Sequence, residues 1–120
     1  MSLRMRTVVI DTPNPTELVD FWAGALDREI VETGHDEFIL LRDRGGRDPK
    51  MLIQKVDGPH PGGKNRVHFD LYASDPAVEA ARLERSGAKV IETFDSAGDM
   101  WIWMKDPHGN DFCIVRSSDG

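Results

Sequence analysis

The chain has 120 residues, of which 39% are hydrophobic and 30% are charged, and its formal net charge is −6 at pH 7. This length fits a single domain with one core, and the acidic balance argues against nucleic acid as a partner, because phosphate backbones are repelled. The single cysteine, Cys113, excludes an internal disulfide, and no apolar run reaches the length of a membrane span. We therefore expect a cytoplasmic protein without a membrane partner.

The first half of the chain predicts one helix among four strands. Apolar and β-branched alternation indicates strands over 6–12, 29–33, 37–42 and 50–56. A helix is expected to begin at Pro15, because Asn14 can cap it and Glu17 completes a capping-box spacing. The apolar stripe of this helix contains Leu18, Phe21, Trp22, Ala25 and Leu26.

The second half of the chain predicts the same order of elements. Strands are expected over 66–72, 88–93, 100–105 and 111–116. Asp75 can cap a helix that begins at Pro76 and ends near Ser86, with Gly87 as the stop. The apolar face of this helix is predicted to contain Ala77, Val78, Ala81 and Leu83.

Short sequence matches between the two halves indicate an internal duplication. The matching pairs, 60 to 63 residues apart, are Ile30–Thr33 with Val90–Thr93, Asn14-Pro15 with Asp75-Pro76, and Leu41–Gly46 with Met104–Gly109. We therefore predict an α+β fold in which two tandem βαβββ modules form a cup-shaped mixed sheet. The predicted single domain covers 5–116, with module one at 5–56, a linker rich in Gly and Pro at 57–65, and module two at 66–116.

Alternation within the strands separates a helix-packed face from a face that meets a cavity or water. In the first strand of module two, the second face would carry His68, Asp70 and Tyr72. Trp101 and Trp103 also share one face, where they either stack on a flat or cationic ligand or belong to the core. The net negative charge mildly favours a cationic ligand.

Plainer interpretations exist for each of these polar residues. His68 is a pocket residue, a metal ligand or a structural histidine bonded to Asp70. Cys113 is most simply a small buried hydrophobe, although a nearby base such as His68 could activate its thiol. The cluster of charged residues at Arg42, Asp43, Arg44, Arg47 and Asp48 indicates a solvated loop rather than an anion site.

Three stretches carry a resemblance to a known family: "VVIDTPNPTELVDFWAGALD", "KNRVHFDL" and "KDPHGNDFCIVR". In paired βαβββ units they resemble the vicinal oxygen chelate superfamily, and within it the small glyoxalase-like group that includes bleomycin-resistance-type proteins. The resemblance covers 5–116 and implies a homodimer. It also implies, for most enzymes of the superfamily, one divalent metal that chelates two neighbouring substrate oxygens.

Carried over position by position, the resemblance places four residues where metal ligands are expected: Thr7, Gln54, His68 and Cys113. The family uses His, Glu and Gln at such positions, so Thr7 and Cys113 depart from the pattern. The set supplies no carboxylate for a hard divalent ion. Asp70 could substitute, but two residues along a strand would move it by roughly 6–7 Å. We therefore expect no full metal site, with Zn, Ni, Mn and Fe as the ions to test.

Three functions remain open from the sequence. The favoured one is a protein that binds a small organic molecule, with contacts expected from Gln54, His68, Asp70, Tyr72, Trp101 and Trp103. The second is a metal-dependent lyase, isomerase or ring-cleaving dioxygenase with an atypical ligand set, in which His68 is the catalytic candidate. The third is a non-catalytic dimeric interaction module.

Overall fold

Two compact units, Met1–Pro59 and His60–Gly120, make up the chain of the computed structural model. The structure describes residues 5–58, 65 and 67–117, so most of the predicted linker and Arg66 lie outside the described residues. Each unit has the order βαβββ with one four-stranded mixed sheet, which confirms the predicted α+β class of tandem modules. The grouping into one domain, and the cup that both modules would share, stay predictions.

The first unit packs one helix against one side of its sheet. Its elements are β1 (Thr7–Thr12), α1 (Pro15–Leu26), β2 (Glu29–Val31), β3 (Phe38–Arg42) and β4 (Lys50–Lys55). The strand order is β1-β4-β3-β2, with β1 parallel to β4 and the other pairs antiparallel. The side chains of Leu18 and Trp22 on α1 meet those of Leu41 and Ile53 on the sheet side, and all four are fully buried. The core prediction for Trp22 is thus confirmed.

The start of α1 is at the predicted residue, but its predicted side-chain cap is wrong. The Asn14 side chain makes no capping hydrogen bond to the helix. Instead, its Oδ1 accepts from the Thr16 hydroxyl at 2.8 Å, and the Asn14 backbone N–H donates to Thr12 Oγ1 at 3.2 Å. A polar neighbour two residues away therefore outcompetes the backbone N–H groups of the first turn.

The second unit repeats this arrangement. Its elements are β5 (Phe69–Ala73), α2 (Pro76–Arg85), β6 (Lys89–Ser96), β7 (Asp99–Lys105) and β8 (Asp111–Arg116), and the strand order is β5-β8-β7-β6. Asp75 Oδ1 accepts from the Val78 N–H at 3.3 Å, so the predicted cap of α2 is confirmed. Gly87 has φ +107°, a left-handed conformation that ends the helix as expected. Within the described ranges, no helix has the length and hydropathy of a membrane span.

The buried face of α2 differs from the prediction. Pro76, Ala80 and Leu83 are buried, at the spacing i, i+4 and i+7. The predicted core residues Ala77, Val78 and Ala81 are exposed, so those three assignments are wrong. The helix is polar overall, and one narrow stripe is enough to cover the sheet beneath it.

Candidate functional site

One side of the second sheet is covered by α2, and the other side carries most of the predicted site residues. The covered side contains Ile102, Met104, Phe112 and Ile114, which are all buried. Strand alternation places their neighbours on the opposite side, which we call the second open face. It consists of Asp70, Tyr72, Phe94, Trp101, Trp103, Lys105, Asp111, Cys113 and Val115, with His68 directly before β5.

Cross-strand pairing brings these residues into two rows. In one row Asp70 pairs with Cys113, and Cys113 pairs with Trp103. In the next row Tyr72 pairs with Val115, and Val115 pairs with Trp101. Both tryptophans therefore lie on the open face and not in the core under α2, which settles the alternative that the sequence left open.

Aromatic rings form a half-exposed strip along this face. Phe94 on β6 stacks on Trp101, with ring centroids 4.9 Å apart and an interplanar angle of 16°. Trp101 is 37% exposed and Tyr72 is 61% exposed. Such a strip offers ring faces to a planar or cationic molecule. Phe94 is not among the site residues predicted from the sequence. The feature that could have pointed to it is its place directly opposite Trp101 in the β6–β7 hairpin.

His68, Asp70 and Cys113 bring their side-chain ends together. His68 Nε2 lies 3.6 Å from Asp70 Oδ1, and one ligand atom from each of the three residues lies within 4.8 Å of the others. The expectation that Asp70 lies roughly 6–7 Å from His68 is therefore wrong for the side-chain ends. His68 precedes β5 instead of lying within the strand, so its side chain does not keep the regular strand spacing from Asp70.

The donor chemistry of this cluster suits a borderline-soft ion such as zinc. Imidazole, carboxylate and thiolate are all zinc ligands. Cys113 is buried, as predicted, and is in no disulfide, while His68 and Asp70 are exposed. Three of the usual four ligands are thus supplied by the second unit alone. The carboxylate comes from Asp70, a position that lies outside the four family ligand positions.

A buried carboxylate that the sequence did not single out supports this face. The side chain of Asp111 is fully buried and accepts from Trp103 Nε1 at 2.7 Å, from Lys105 Nζ at 2.9 Å and from the backbone N–H of Asn65. Burial alone would raise the pKa of Asp111, but these hydrogen bonds and the Lys105 charge outweigh it and lower the pKa overall.

This network fixes the orientation of Trp103. Its indole N–H donates to the buried Asp111 carboxylate, and this bond holds the ring in one preferred position. The same carboxylate anchors Asn65, three residues before His68. A sequence signal existed: Lys105 and Asp111 are opposite charges that flank the turn between β7 and β8, and they pair directly.

The remaining predicted ligand positions, Thr7 and Gln54, lie in the first unit on the side of its sheet that α1 does not cover. We call this side the first open face; it consists of Thr7, Val9, Asp11, Glu29, Val31, Phe38, Leu40, Arg42, Lys50, Leu52 and Gln54. Thr7 pairs with Lys50, and Gln54 pairs with Asp11.

The register changes which residue matches Cys113. Val9 follows Thr7 by two residues, as Asp70 follows His68, and Val9 pairs with Leu52 where Asp70 pairs with Cys113. Leu52 therefore occupies the position that corresponds to Cys113, whereas Gln54 corresponds to Val115. Neither Thr7 nor Leu52 is a customary metal ligand, so the first unit matches the second poorly as a ligand source. A role for Gln54 stays a prediction.

A model of the glyoxalase-like domain matches residues 7–115. The chain belongs to the glyoxalase-like domain family. The match covers both βαβββ units, so the whole pattern of paired modules belongs to this glyoxalase-like domain. No curated protein sequence matches the chain.

Solved structures share the fold of this glyoxalase-like protein at low sequence identity. A glyoxalase/bleomycin resistance protein/dioxygenase family enzyme from Burkholderia phytofirmans matches at TM-score 0.77 and 14% identity, covering 94% of this chain and 98% of that chain. Lactoylglutathione lyase from Agrobacterium tumefaciens matches at TM-score 0.68 and 16% identity, covering 96% of this chain and 94% of that chain. The bleomycin-binding protein from Streptomyces verticillus was solved with copper(II)-bleomycin. It matches at TM-score 0.66 and 16% identity, covering 98% of this chain and 99% of that chain. The family model over residues 7–115, together with these fold neighbours, confirms the resemblance to the vicinal oxygen chelate superfamily.

Proposed function

We propose that this glyoxalase-like protein binds a small organic molecule on the second open face without requiring a full metal site. The proposal rests on two rows of side chains on the side of the sheet that α2 does not cover. Trp101 lies in one row with Tyr72, and Trp103 lies in the next row with Asp70. Ring faces and ionisable groups side by side are the composition of small-molecule sites.

The ligand class follows from the chemistry of this face. Trp101 and Phe94 stack in parallel and extend a flat apolar surface, which suits a planar molecule. The Asp70 carboxylate lies on the same face, in the neighbouring row with Cys113 and Trp103, and the chain carries a net charge of −6. A planar organic cation is therefore favoured over an anion there. The fold neighbour solved with copper(II)-bleomycin supports small-molecule binding as a function of this fold.

Tryptophan fluorescence provides the test. Proflavine, a planar cation, is titrated into the protein together with a panel of neutral planar aromatics and copper(II)-bleomycin. We expect saturable changes in tryptophan emission for at least one planar cation, and a loss of affinity of about tenfold in Trp101→Ala, which corresponds to about 1.4 kcal/mol.

Thr93→Ala serves as the matched control, because Thr93 is exposed on the same strand as Phe94 but on the side of α2. It should bind like the wild type. Equal affinities of Trp101→Ala and Thr93→Ala for every compound that binds would place the ligand elsewhere and reject the proposal.

A metal-dependent lyase, isomerase or dioxygenase is the second candidate, and the convergence of His68, Asp70 and Cys113 favours it. These three residues would hold the ion, with solvent or substrate completing its ligands. A bound divalent ion supplies Lewis-acid stabilisation of negative charge on substrate oxygens. Asp70 would hold the His68 imidazole in place in either candidate function.

Metal binding separates the two candidates. Metal content is measured on untagged protein, followed by titration with Zn, Ni, Mn and Fe(II) while thermal stability is monitored. The first candidate predicts no stoichiometric ion and no change in Tm. One ion per chain, lost in both His68→Ala and Asp70→Ala, would favour the second.

Two further proposals complete this function. We infer a homodimer located in the cytoplasm, since superfamily members often pair and the sole cysteine is buried and in no disulfide. Light scattering at several protein concentrations tests the first point, with twice the 13.5 kDa chain mass expected. A dimer that binds no compound and no metal in these experiments would instead support the interaction module.

A further inference from the structure

A cleft of about 340 Å³ lies at one end of the first sheet, and none of the residues of the proposed function lines it. It is lined by residues that precede β1 and by the loop between β3 and β4: Met5, Arg6, Arg42, Asp43, Gly46, Arg47, Asp48, Pro49 and Lys50. Four of these side chains are cationic and two are anionic, so the cleft is locally positive in a chain of net charge −6.

Three of the four cationic side chains at the cleft form no ion pair with the described residues. Arg42 is bound by Glu29 through two contacts of 2.9 Å. Among the described residues, no carboxylate lies within ion-pair distance of Arg6, Arg47 or Lys50. Three cationic groups thus face one cleft with their charges available to a ligand.

One of the two acidic residues of the loop, Asp43, accepts hydrogen bonds from the loop backbone. Asp43 Oδ2 accepts from the N–H of Arg47 at 2.9 Å and from the N–H of Asp48 at 3.0 Å, and these bonds lower the pKa of Asp43. Gly46 adopts φ +68°, which allows the tight turn that these bonds close. The loop is therefore held in a conformation that keeps Arg47 at the cleft, where the Asp43 and Asp48 carboxylates only partly offset the four cationic side chains.

An apolar strip continues from the cleft along the first open face. Strand alternation puts Leu52 on the same side as Lys50, and Leu40 on the same side as Arg42. Leu40 pairs with Leu52, and Leu52 pairs with Val9, which is 48% exposed. A cationic end and an apolar strip are thus adjacent on one side of one sheet.

We propose that this end of the first sheet binds the anionic group, a phosphate or a carboxylate, of a small organic molecule whose apolar body lies on Val9, Leu40 and Leu52. Arg6, Arg47 and Lys50 supply the charge, and guanidinium groups suit the geometry of both anions. The site goes beyond the proposed function, since it involves other residues and the opposite ligand charge. It also revises the interpretation of this loop as merely solvated.

The test uses phenyl phosphate as the probe and phenol as its uncharged match, with binding followed by amide chemical shifts in ¹H–¹⁵N spectra. We expect phenyl phosphate to shift the amides of Leu40, Arg47, Lys50 and Leu52, with an affinity that falls as NaCl is added. Phenol should bind at least about tenfold more weakly, because it lacks the anionic group.

Charge variants decide whether the cleft is responsible. Arg47→Gln/Lys50→Gln should weaken phenyl phosphate binding by about tenfold. Lys55→Gln/Lys89→Gln, which removes the same charge at exposed sites outside the cleft, should bind like the wild type. Asp48→Asn should tighten binding a few-fold, a gain that misfolding cannot produce. Equal affinities of the two double variants, or no gain in Asp48→Asn, would overturn the proposal.

Discussion

Where the first open face presents Val9, Leu40 and Leu52, the second presents Asp70, Trp103 and Cys113 at the corresponding pairing positions. The sides that face the helices differ much less. Leu41 and Ile53 in the first unit correspond to Met104 and Ile114 in the second, and all four are buried. A duplicated module thus keeps the apolar residues that pack its helix, while its open face can change without loss of the core.

The charged ends of the two open faces show the same divergence. In the first unit Lys50 has no ion-pair partner among the described residues, and it lines a cationic cleft. Its counterpart in the second unit is Asp111, a buried acceptor of three hydrogen bonds. The same position of the repeat thus supplies a charge for a ligand in the first unit and a buried hydrogen-bond acceptor in the second. Function in this fold is therefore a property of each open face and not of the repeated backbone.

The largest effect on the free energy of unfolding is expected from Asp111→Ala, and Lys50→Ala at the matching position of the first unit is its comparison. Asp111→Ala leaves Lys105, Trp103 and the Asn65 N–H without their acceptor, so the free energy of unfolding should fall by about 3 kcal/mol. Lys50→Ala should change it by less than about 0.5 kcal/mol, because the side chain is exposed. Urea denaturation measures both; similar losses in the two variants would contradict the contrast between the units.

Acid should weaken the second unit through the same carboxylate. The pKa of Asp111 is lower in the folded chain than in the unfolded chain, so its ionised form stabilises the fold above about pH 4. This contribution is lost as the pH falls through the folded pKa. Unfolding measured from pH 7 to pH 2 should therefore show a steeper acid loss in the wild type than in Asp111→Asn. Parallel curves for the two proteins would show that Asp111 is not the group involved.

Substitution of Cys113 tests whether its thiol behaves as an apolar group. Cys113 is 6% exposed, so Cys113→Ser buries a hydroxyl and should cost about 1–2 kcal/mol of unfolding free energy. Cys113→Ala should cost less, because it removes volume without adding a polar group. Urea denaturation in metal-free buffer compares them, and a serine variant at least as stable as the alanine variant would indicate a polar environment for the thiol.

The smallest effects on stability are expected at the exposed pair of His68 and Asp70. Their side chains are 32% and 47% exposed, so His68→Ala and Asp70→Ala should each change the unfolding free energy by less than about 0.5 kcal/mol. Ligand binding on the second open face should fall in both. A loss of stability above 2 kcal/mol in His68→Ala would instead make it the structural histidine that the sequence left open.

The fold could be predicted from the sequence because its signals are local. The strands follow a period of two, and Pro15 and Pro76 mark helix starts at matching places in the repeat. The buried stripe of α2 was mispredicted because a polar helix needs only Ala80 and Leu83, and alanine gives little contrast between a covered and an exposed face.

The candidate site could be predicted only in part, because it depends on pairing between strands. Trp101 and Trp103 alternate with Ile102 and Met104, which are equally apolar, so the sequence could not assign their side. The register decides it, and it also replaces Gln54 by Leu52 as the match of Cys113. The short distance between the His68 and Asp70 side-chain ends depends on the conformations of both side chains. Hydrophobic alternation along the sequence does not determine these conformations.

The most direct test of the second open face as the ligand site is ¹⁹F NMR of protein labelled with 5-fluorotryptophan. Its three tryptophans report separately: Trp101 and Trp103 on the open face and Trp22 in the core of the first unit. During titration with the planar cations and neutral aromatics, we predict that the Trp101 and Trp103 resonances shift with one common affinity while Trp22 stays unchanged. Resonances of Trp101 and Trp103 that no compound moves, or that move no more than Trp22, would contradict the proposed site.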